Sequence, residues 1–260
     1  MGPHALAGLL GIAFIAAYTQ TLTGFALGLI MMGGVGLTGI LPLPDAAVLV
    51  SILVIVNAAQ VLAKGWRDIA FRQFWPALAA SLLCLGIGYW LLGLMVSASL
   101  DWLKIVLGAL IITSSIQLSL KPQVLPKTSG ASSFAGFGAV AGLMGGLFST
   151  SGPPLIYHFY RQPLKPSAVR ETLVAIFAIN SVIRLAIVAG SGELPSASFW
   201  WALTAIPVVI AATTLARRFP PPLSPVAMRR AAFLLLFLSG LSLLLPAALS
   251  VLKSALEMGS

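Results

Sequence analysis

Two short polar runs interrupt otherwise apolar sequence: Gln20-Thr21-Leu22-Thr23-Gly24 and Ser149-Thr150-Ser151-Gly152-Pro153-Pro154. Gln20, Thr21, Thr23, Ser149, Thr150 and Ser151 are neutral and mostly hydroxyl donors, a set suited to hydrogen-bonding oxygen rather than to attacking or protonating a substrate. A helix N-terminus exposes unpaired N–H groups and about half a positive charge. Helices opened by Gly24 and Gly152 would therefore make an anion site together. Glycine lets a bound oxyanion approach the backbone, and Pro153 suits a first helical turn, where a missing N–H does least harm. The competing use of such small residues is tight packing between membrane helices.

One cation falls where hydrocarbon would be. Arg184 lies close to the middle of the apolar segment 173–188. A lipid-facing Arg there costs about 2.5–3.5 kcal/mol on insertion scales, so Arg184 is expected to face the protein interior or water; the alternative is snorkelling to the nearer interface. Asn180, four residues earlier, shares its helix face. The corresponding first-half helix offers Asn57 and Gln60, three apart and uncharged. His158 follows the second polar run, but no HExxH is present and the only other histidine is His4. A hydrogen-bonded interior role is the simpler reading of His158, with a proton relay as the alternative. The apolar segments offer no Asp or Glu as an evident proton carrier, and Cys84, the only cysteine, makes neither a disulfide nor a thiolate metal site within one chain. No cofactor or metal is expected.

These residues must be positioned by membrane helices. The 260 residues are 59% hydrophobic and 8% charged, with a mean hydropathy of +1.03, which excludes a water-soluble domain. The net charge of +9 is read as loop charge that sets orientation, not as a nucleic-acid surface. Apolar runs fall at 5–19, 24–41, 46–63, 74–95, 102–119, 132–148, 153–160, 168–189, 198–216 and 230–250. The first two and the sixth and seventh are separated only by the polar runs, so each pair reads as a hairpin of discontinuous helices.

The chain also matches itself at an offset of about 125 residues: Thr23-Gly24 on Ser151-Gly152, Pro44 on Pro166, Asn57 on Asn180, Phe74-Trp75 on Phe199-Trp200. The first repeat spans 1–119 (hairpin 5–41, helices 46–63, 74–95 and 102–119). A cytoplasmic linker covers 120–131, and the second repeat spans 132–260 (hairpin 132–160, helices 168–189, 198–216 and 230–250). If each hairpin returns to the side it entered, loops 64–73, 120–131, 161–170 and 217–230 share one face and hold 12 of the 15 Lys and Arg residues. Asp45, Asp101, Glu193 and Glu257 fall on the other. One hairpin plus three crossings per half is an odd count, so the second repeat is inverted relative to the first. The fold class expected is an all-α polytopic membrane protein of two inverted repeats, each a broken-helix hairpin plus three transmembrane helices. The alternative to the hairpins is that all ten segments cross completely. Irregular backbone at membrane depth is tolerated only where it is buried or lines a cavity, which points to the two breaks meeting at a midplane site.

The duplication, with Ala-Gly-Leu-Met-Gly-Gly-Leu-Phe-Ser-Thr-Ser-Gly-Pro-Pro-Leu at 141–155 and Thr-Leu-Thr-Gly-Phe-Ala-Leu-Gly at 21–28, resembles the TauE/SafE family of membrane permeases, described as exporters of sulfite and organosulfonates. The resemblance covers nearly the whole chain, and Thr150 and Ser151 replace part of the family's glycine run. It implies a sulfur-containing cargo. The residues themselves imply an anion, held by the two helix N-termini, the hydroxyls and Arg184, with Asn57, Gln60 and Asn180 lining the cavity. The expected protein is an inner-membrane secondary transporter of a small sulfur-containing anion working by alternating access, not an enzyme. A passive anion channel and a carrier of a non-sulfur organic anion are the alternatives. Its expected partners are the anion and membrane lipid. Small-residue faces such as Gly86 and Gly88 would permit a homo-oligomer.

Overall fold

The structure, a computed structural model, describes residues 2–98, 100–119, 124–150, 153–192, 196–219, 234, 237–238, 240–241 and 244–253. The described residues form helices without strands: α1 (Pro3–Thr23), α2 (Leu27–Thr38), α3 (Leu43–Gly65), a 3₁₀ turn (Trp66–Asp68), α4 (Phe71–Ala98), α5 (Leu100–Ser119), α6 (Ala131–Phe148), α7 (Pro153–Tyr160), α8 (Pro166–Ser191), α9 (Ala197–Ala202) and α10 (Ala205–Arg218). A last apolar helix, α11, covers Leu244–Lys253. Among the described residues, six helical stretches are long and apolar enough to cross a membrane. All six tryptophans are exposed. Trp66 and Trp75 lie near one end of the bundle and Trp102, Trp200 and Trp201 near the other, as side chains that settle at membrane–water boundaries do.

Two expected boundaries shift. The first break lies at Gly24-Phe25-Ala26 rather than Gln20–Gly24, because Thr21 and Thr23 stay helical. Their hydroxyls donate to the Ala17 and Thr19 carbonyls, each at 2.7 Å, the back-bond that helical threonines favour. At 21 residues, α1 is about 31 Å long and long enough to cross, so it is more than a short half-helix. The segment expected at 198–216 is two helices, α9 and α10, joined by a turn at Leu203-Thr204. Most of 230–243, along with Glu193 and Glu257, lies outside the described residues.

Packing fixes helix directions. Glycines at 138, 142 and 146 on α6 lie against Ala77, Ser81 and Leu85 on α4, in ascending order on both, so α4 and α6 run parallel. A Cβ on Gly142 would overlap the Ser81 carbonyl outright. This is the close backbone approach that small residues spaced by four permit. Gly88 is consumed by the same contact, lying on Leu143 and Gly146, whereas Gly86 has nothing near its missing side chain. Gly88 is therefore not the free association surface expected of it. Asn57 meets Thr213 and Gln60 meets Thr214, so α3 and α10 are parallel. Gly65 and Val61 of α3 meet Glu171 and Val174 of α8, so that pair is antiparallel. In the first hairpin Gly8 faces Ile40 and Gly34 faces Ile12, bringing α1 and α2 together antiparallel.

Candidate functional site

Both breaks are held in uncommon backbone. Gly24 closes α1 in the left-handed region (φ 83°), its N–H donating to the Gln20 carbonyl. It therefore ends α1 instead of opening the following helix, which starts at Leu27 after Ala26 at φ 92°. Ser149 closes α6 at φ 54°. Among the described residues, Ala26 and Ser149 are the non-glycine residues with positive φ, one in each break. Such strain costs of order 1–3 kcal/mol apiece and persists where the surroundings impose it.

The breaks touch. A Cβ on Gly28, in the first turn of α2, would lie 3.1 Å from the Ser149 carbonyl oxygen and 3.1 Å from Thr150 Cβ. Gln20, Gly28, Ser149, Thr150 and, from α8, Ser181 surround a cavity of about 20 Å³, room for roughly one water. Gln20 is buried, and its Oε1 accepts the Leu27 N–H at 3.0 Å, capping α2. That bond fixes the amide's orientation and leaves Nε2 buried without a partner. The N–H groups of Gly28 and Leu29 are first-turn donors that a helix does not satisfy internally. Ser149 Oγ pairs with Ser51 Oγ.

Arg184 is among the largest fully buried side chains, 1% exposed, which excludes the snorkelling alternative. It stands one turn beyond Ser181 on α8. Its Nε donates to the Gly146 carbonyl at 3.4 Å, and its guanidinium lies 5.7 Å from the Tyr89 ring centroid. Nη1 is buried and unpartnered. A long hydrogen bond and a ring face are thin compensation for a buried cation.

The other expected site residues are distributed more widely. Asn57, fully buried, donates through Nδ2 to Thr21 Oγ1 and Thr213 Oγ1, each at 2.8 Å, and its Oδ1 has no partner. Asn180 accepts from Ser81 at 3.0 Å. Thr21 and Thr23 spend their hydroxyl protons on backbone carbonyls, Thr23 reaching both Thr19 and Phe25, so neither aims a free donor at the cavity. Gln60 sits at the α3–α10 seam, accepting from Thr214. His158 stacks on Phe137 at 4.3 Å and meets Phe134 edge-on, a packed residue of the α6–α7 contact and not a wall of the cavity. Pro153 is the first residue of α7; Ser151 and Gly152 lie outside the described residues.

A larger cavity, about 350 Å³, opens toward the basic end and is lined by Lys64, Asp68, Arg170, Glu171 and Arg217, with Thr21 among its walls. Glu171 is 2% exposed, a buried carboxylate near the start of α8, where no acidic side chain was expected as an evident proton carrier. Sequence reasoning passed over Glu171, Ser51, Ser81 and Thr213. Ser51 and Ser81 are lone polar residues within apolar helices, a signal the sequence carries; Thr213 is paired with Thr214, and Glu171 stands between Arg170 and Thr172, where nothing in the sequence marks it as buried.

A family model described as "Sulfite exporter TauE/SafE" matches residues 9–243. The chain belongs to the TauE/SafE sulfite exporter family. Its members are membrane exporters, not enzymes. The "Probable sulfite/organosulfonate exporter TauE" of Cupriavidus necator is 39% identical over 242 residues, covering 93% of this chain and 94% of that protein. The "Probable inner membrane transporter protein TsaS" of Comamonas testosteroni is 34% identical over 183 residues, 66% of this chain and 74% of that protein. No solved structure matches the chain. As a TauE/SafE member the chain is a multi-pass membrane transporter.

Proposed function

We propose that this TauE/SafE member is an inner-membrane secondary transporter of a small sulfur-containing anion, sulfite or an organosulfonate, bound between the two broken-helix ends and Arg184. The observation that carries the reading is two buried donors lacking acceptors: Gln20 Nε2, on the central cavity at the start of α2, and Arg184 Nη1, one turn beyond the cavity residue Ser181 on α8. Unpartnered buried N–H groups are costly, and an oxyanion supplies the missing acceptors. The sulfur in the cargo comes from the relatives' names. The cavity is too small for that anion as it stands, so loading requires the breaks to separate.

Alternating access between two inverted repeats, 1–119 and 132–260, is supported by how the halves exchange contacts. Helix α4 of the first half runs along α6 of the second, and α10 of the second runs along α1 of the first. The aligned asparagines do the same: Asn57 bonds Thr213 of the other half, and Asn180 accepts from Ser81 of the other half. The hairpins open toward opposite ends. Residues 2 and 38 share an end with the start of α3, whereas Gly130 and Tyr160 share an end with the start of α8, antiparallel to α3. The test is uptake of labelled sulfite, taurine and ethanesulfonate into proteoliposomes. Saturable uptake with stimulation by substrate on the far side is the expected result. Non-saturating flux would make the chain a channel, and exclusive uptake of a carboxylate would remove sulfur from the reading.

A further inference from the structure

The central cavity is too small for an anion in this conformation, whereas the cavity at the basic end, about 350 Å³, has room for one, and its charges are unevenly matched. Arg170 donates to Glu171 Oε1 from Nε at 3.1 Å and from Nη2 at 2.7 Å. Oε2 is buried and unpartnered. The carboxyl group rests on Gly65, where a side-chain carbon would fall within 2.7 Å of both oxygens. Gly65 is the last residue of α3, so the carboxylate faces the negative end of that helix. Arg170 is the one ion-pair partner of Glu171 among the described residues. The other charges around the cavity are Lys64 on α3, Asp68 in the 3₁₀ turn and Arg217 on α10. Arg217 is engaged with the Gln60 carbonyl. Arg170 is partly exposed, 38% of its side chain, and so is within reach of solute while Glu171 is not.

We propose that this cavity is a loading site for the transported anion, in which the anion and the Glu171 carboxylate compete for the Arg170 guanidinium, so that each anion bound there brings one proton onto Glu171. This rests on the anion-transport reading above. The exchange balances: the anion replaces the carboxylate as acceptor for Arg170, a proton from water adds to the displaced carboxylate, and the cavity's net charge is unchanged. A displaced Glu171 that kept its charge would be a buried ion facing carbonyl ends without its partner, the arrangement that proteins avoid by protonation. The exchange reaches the first break directly. A Cβ on Gly24 would lie 2.9 Å from both Cα and Cγ of Arg170, so movement of the Arg170 stem bears on the residue that ends α1. Proton and anion are thereby coupled at one place in the fold.

The experiment is equilibrium binding of labelled ethanesulfonate, whose charge is fixed, to the purified full chain in nanodiscs at pH 6, 7 and 8. Proton uptake is read by a pH dye in weak buffer. One proton per anion predicts a wild-type Kd that rises up to tenfold per pH unit on the alkaline side, with a matching proton signal. Glu171→Gln is expected to bind with no pH dependence and no proton uptake, at least as tightly as wild type at pH 6. Arg170→Gln is expected to lose both binding and uptake at this site while eluting as a folded species. Wild-type binding without proton uptake, or uptake retained in Glu171→Gln, overturns the exchange and leaves the anion reading standing. Absence of binding by the wild-type chain to ethanesulfonate and to sulfite at all three pH values overturns both.

Discussion

Replacing Arg184 with Met separates binding from folding. The side chain is fully buried, yet its described bonds are one 3.4 Å hydrogen bond to the Gly146 carbonyl and a 5.7 Å approach to Tyr89. An incompletely partnered buried cation carries a desolvation penalty of several kcal/mol, and exchanging such groups for apolar side chains of similar size is often neutral or stabilising by about 1–4 kcal/mol. Ala would leave a void costing about 2–5 kcal/mol and would confuse the two effects; Met fills it. For anion binding, loss of charge-assisted hydrogen bonds worth about 1.5–3 kcal/mol weakens Kd roughly ten- to hundredfold. Arg184→Met is therefore expected to retain or raise the temperature at which the detergent-solubilised protein loses its size-exclusion peak, while its Kd for sulfite rises by at least tenfold. A Kd within twofold of wild type would remove Arg184 from the site. A lower melting temperature with unchanged binding would make it a structural residue only.

Other outcomes follow from packing and direction. Gly142→Ala places a methyl group in the Ser81 carbonyl and should destabilise by about 1–3 kcal/mol or more, seen as a lower thermal midpoint; Gly86→Ala, with open space around it, should leave the midpoint unchanged. Single cysteines placed at Lys127 and Lys165 in a Cys84→Ser background should label from one face of sealed vesicles, and cysteines at Asp45 and Ser196 from the other. Labelling of 127 and 165 from opposite faces would refute the inverted arrangement.

Much of this molecule is written plainly in its sequence, and what is not has physical reasons. The second break was legible because Pro153 cannot donate to a preceding turn, so α7 starts at that proline. The first break was misplaced by several residues because Thr can satisfy its hydroxyl on its own helix, and hydropathy does not distinguish that from a cavity-facing threonine. Arg184 was legible as interior because lipid forbids the alternative. Glu171 was not, since it stands among the charges of a basic loop and only the fold reveals that Gly65 makes room to bury it. The glycines at 138, 142 and 146 belong to the contact of α6 with α4, far apart in the chain, which a reading of one helix at a time cannot assign.

The unequal cavities define what must move. About 20 Å³ lies between the breaks and about 350 Å³ on the basic side, so this conformation is closed at the centre and accessible from the face that the positive-inside rule makes cytoplasmic. An exporter loads from that face. If the anion is held between the breaks as proposed above, the contact of Gly28 with Ser149 and Thr150, which joins one hairpin to the other, has to part for it to pass. A side-chain carbon at 28 would sit 3.1 Å from Thr150 Cβ, slightly inside the 3.5–4.5 Å that a disulfide spans, so a small relaxation brings the pair into bonding range. Gly28→Cys with Thr150→Cys, in a Cys84→Ser background, should therefore oxidise readily, lose uptake into proteoliposomes, and recover it on reduction. Quantitative disulfide formation with uptake unimpaired would show that the breaks move as one body, and would place the moving seam elsewhere, along α4–α6 or α1–α10.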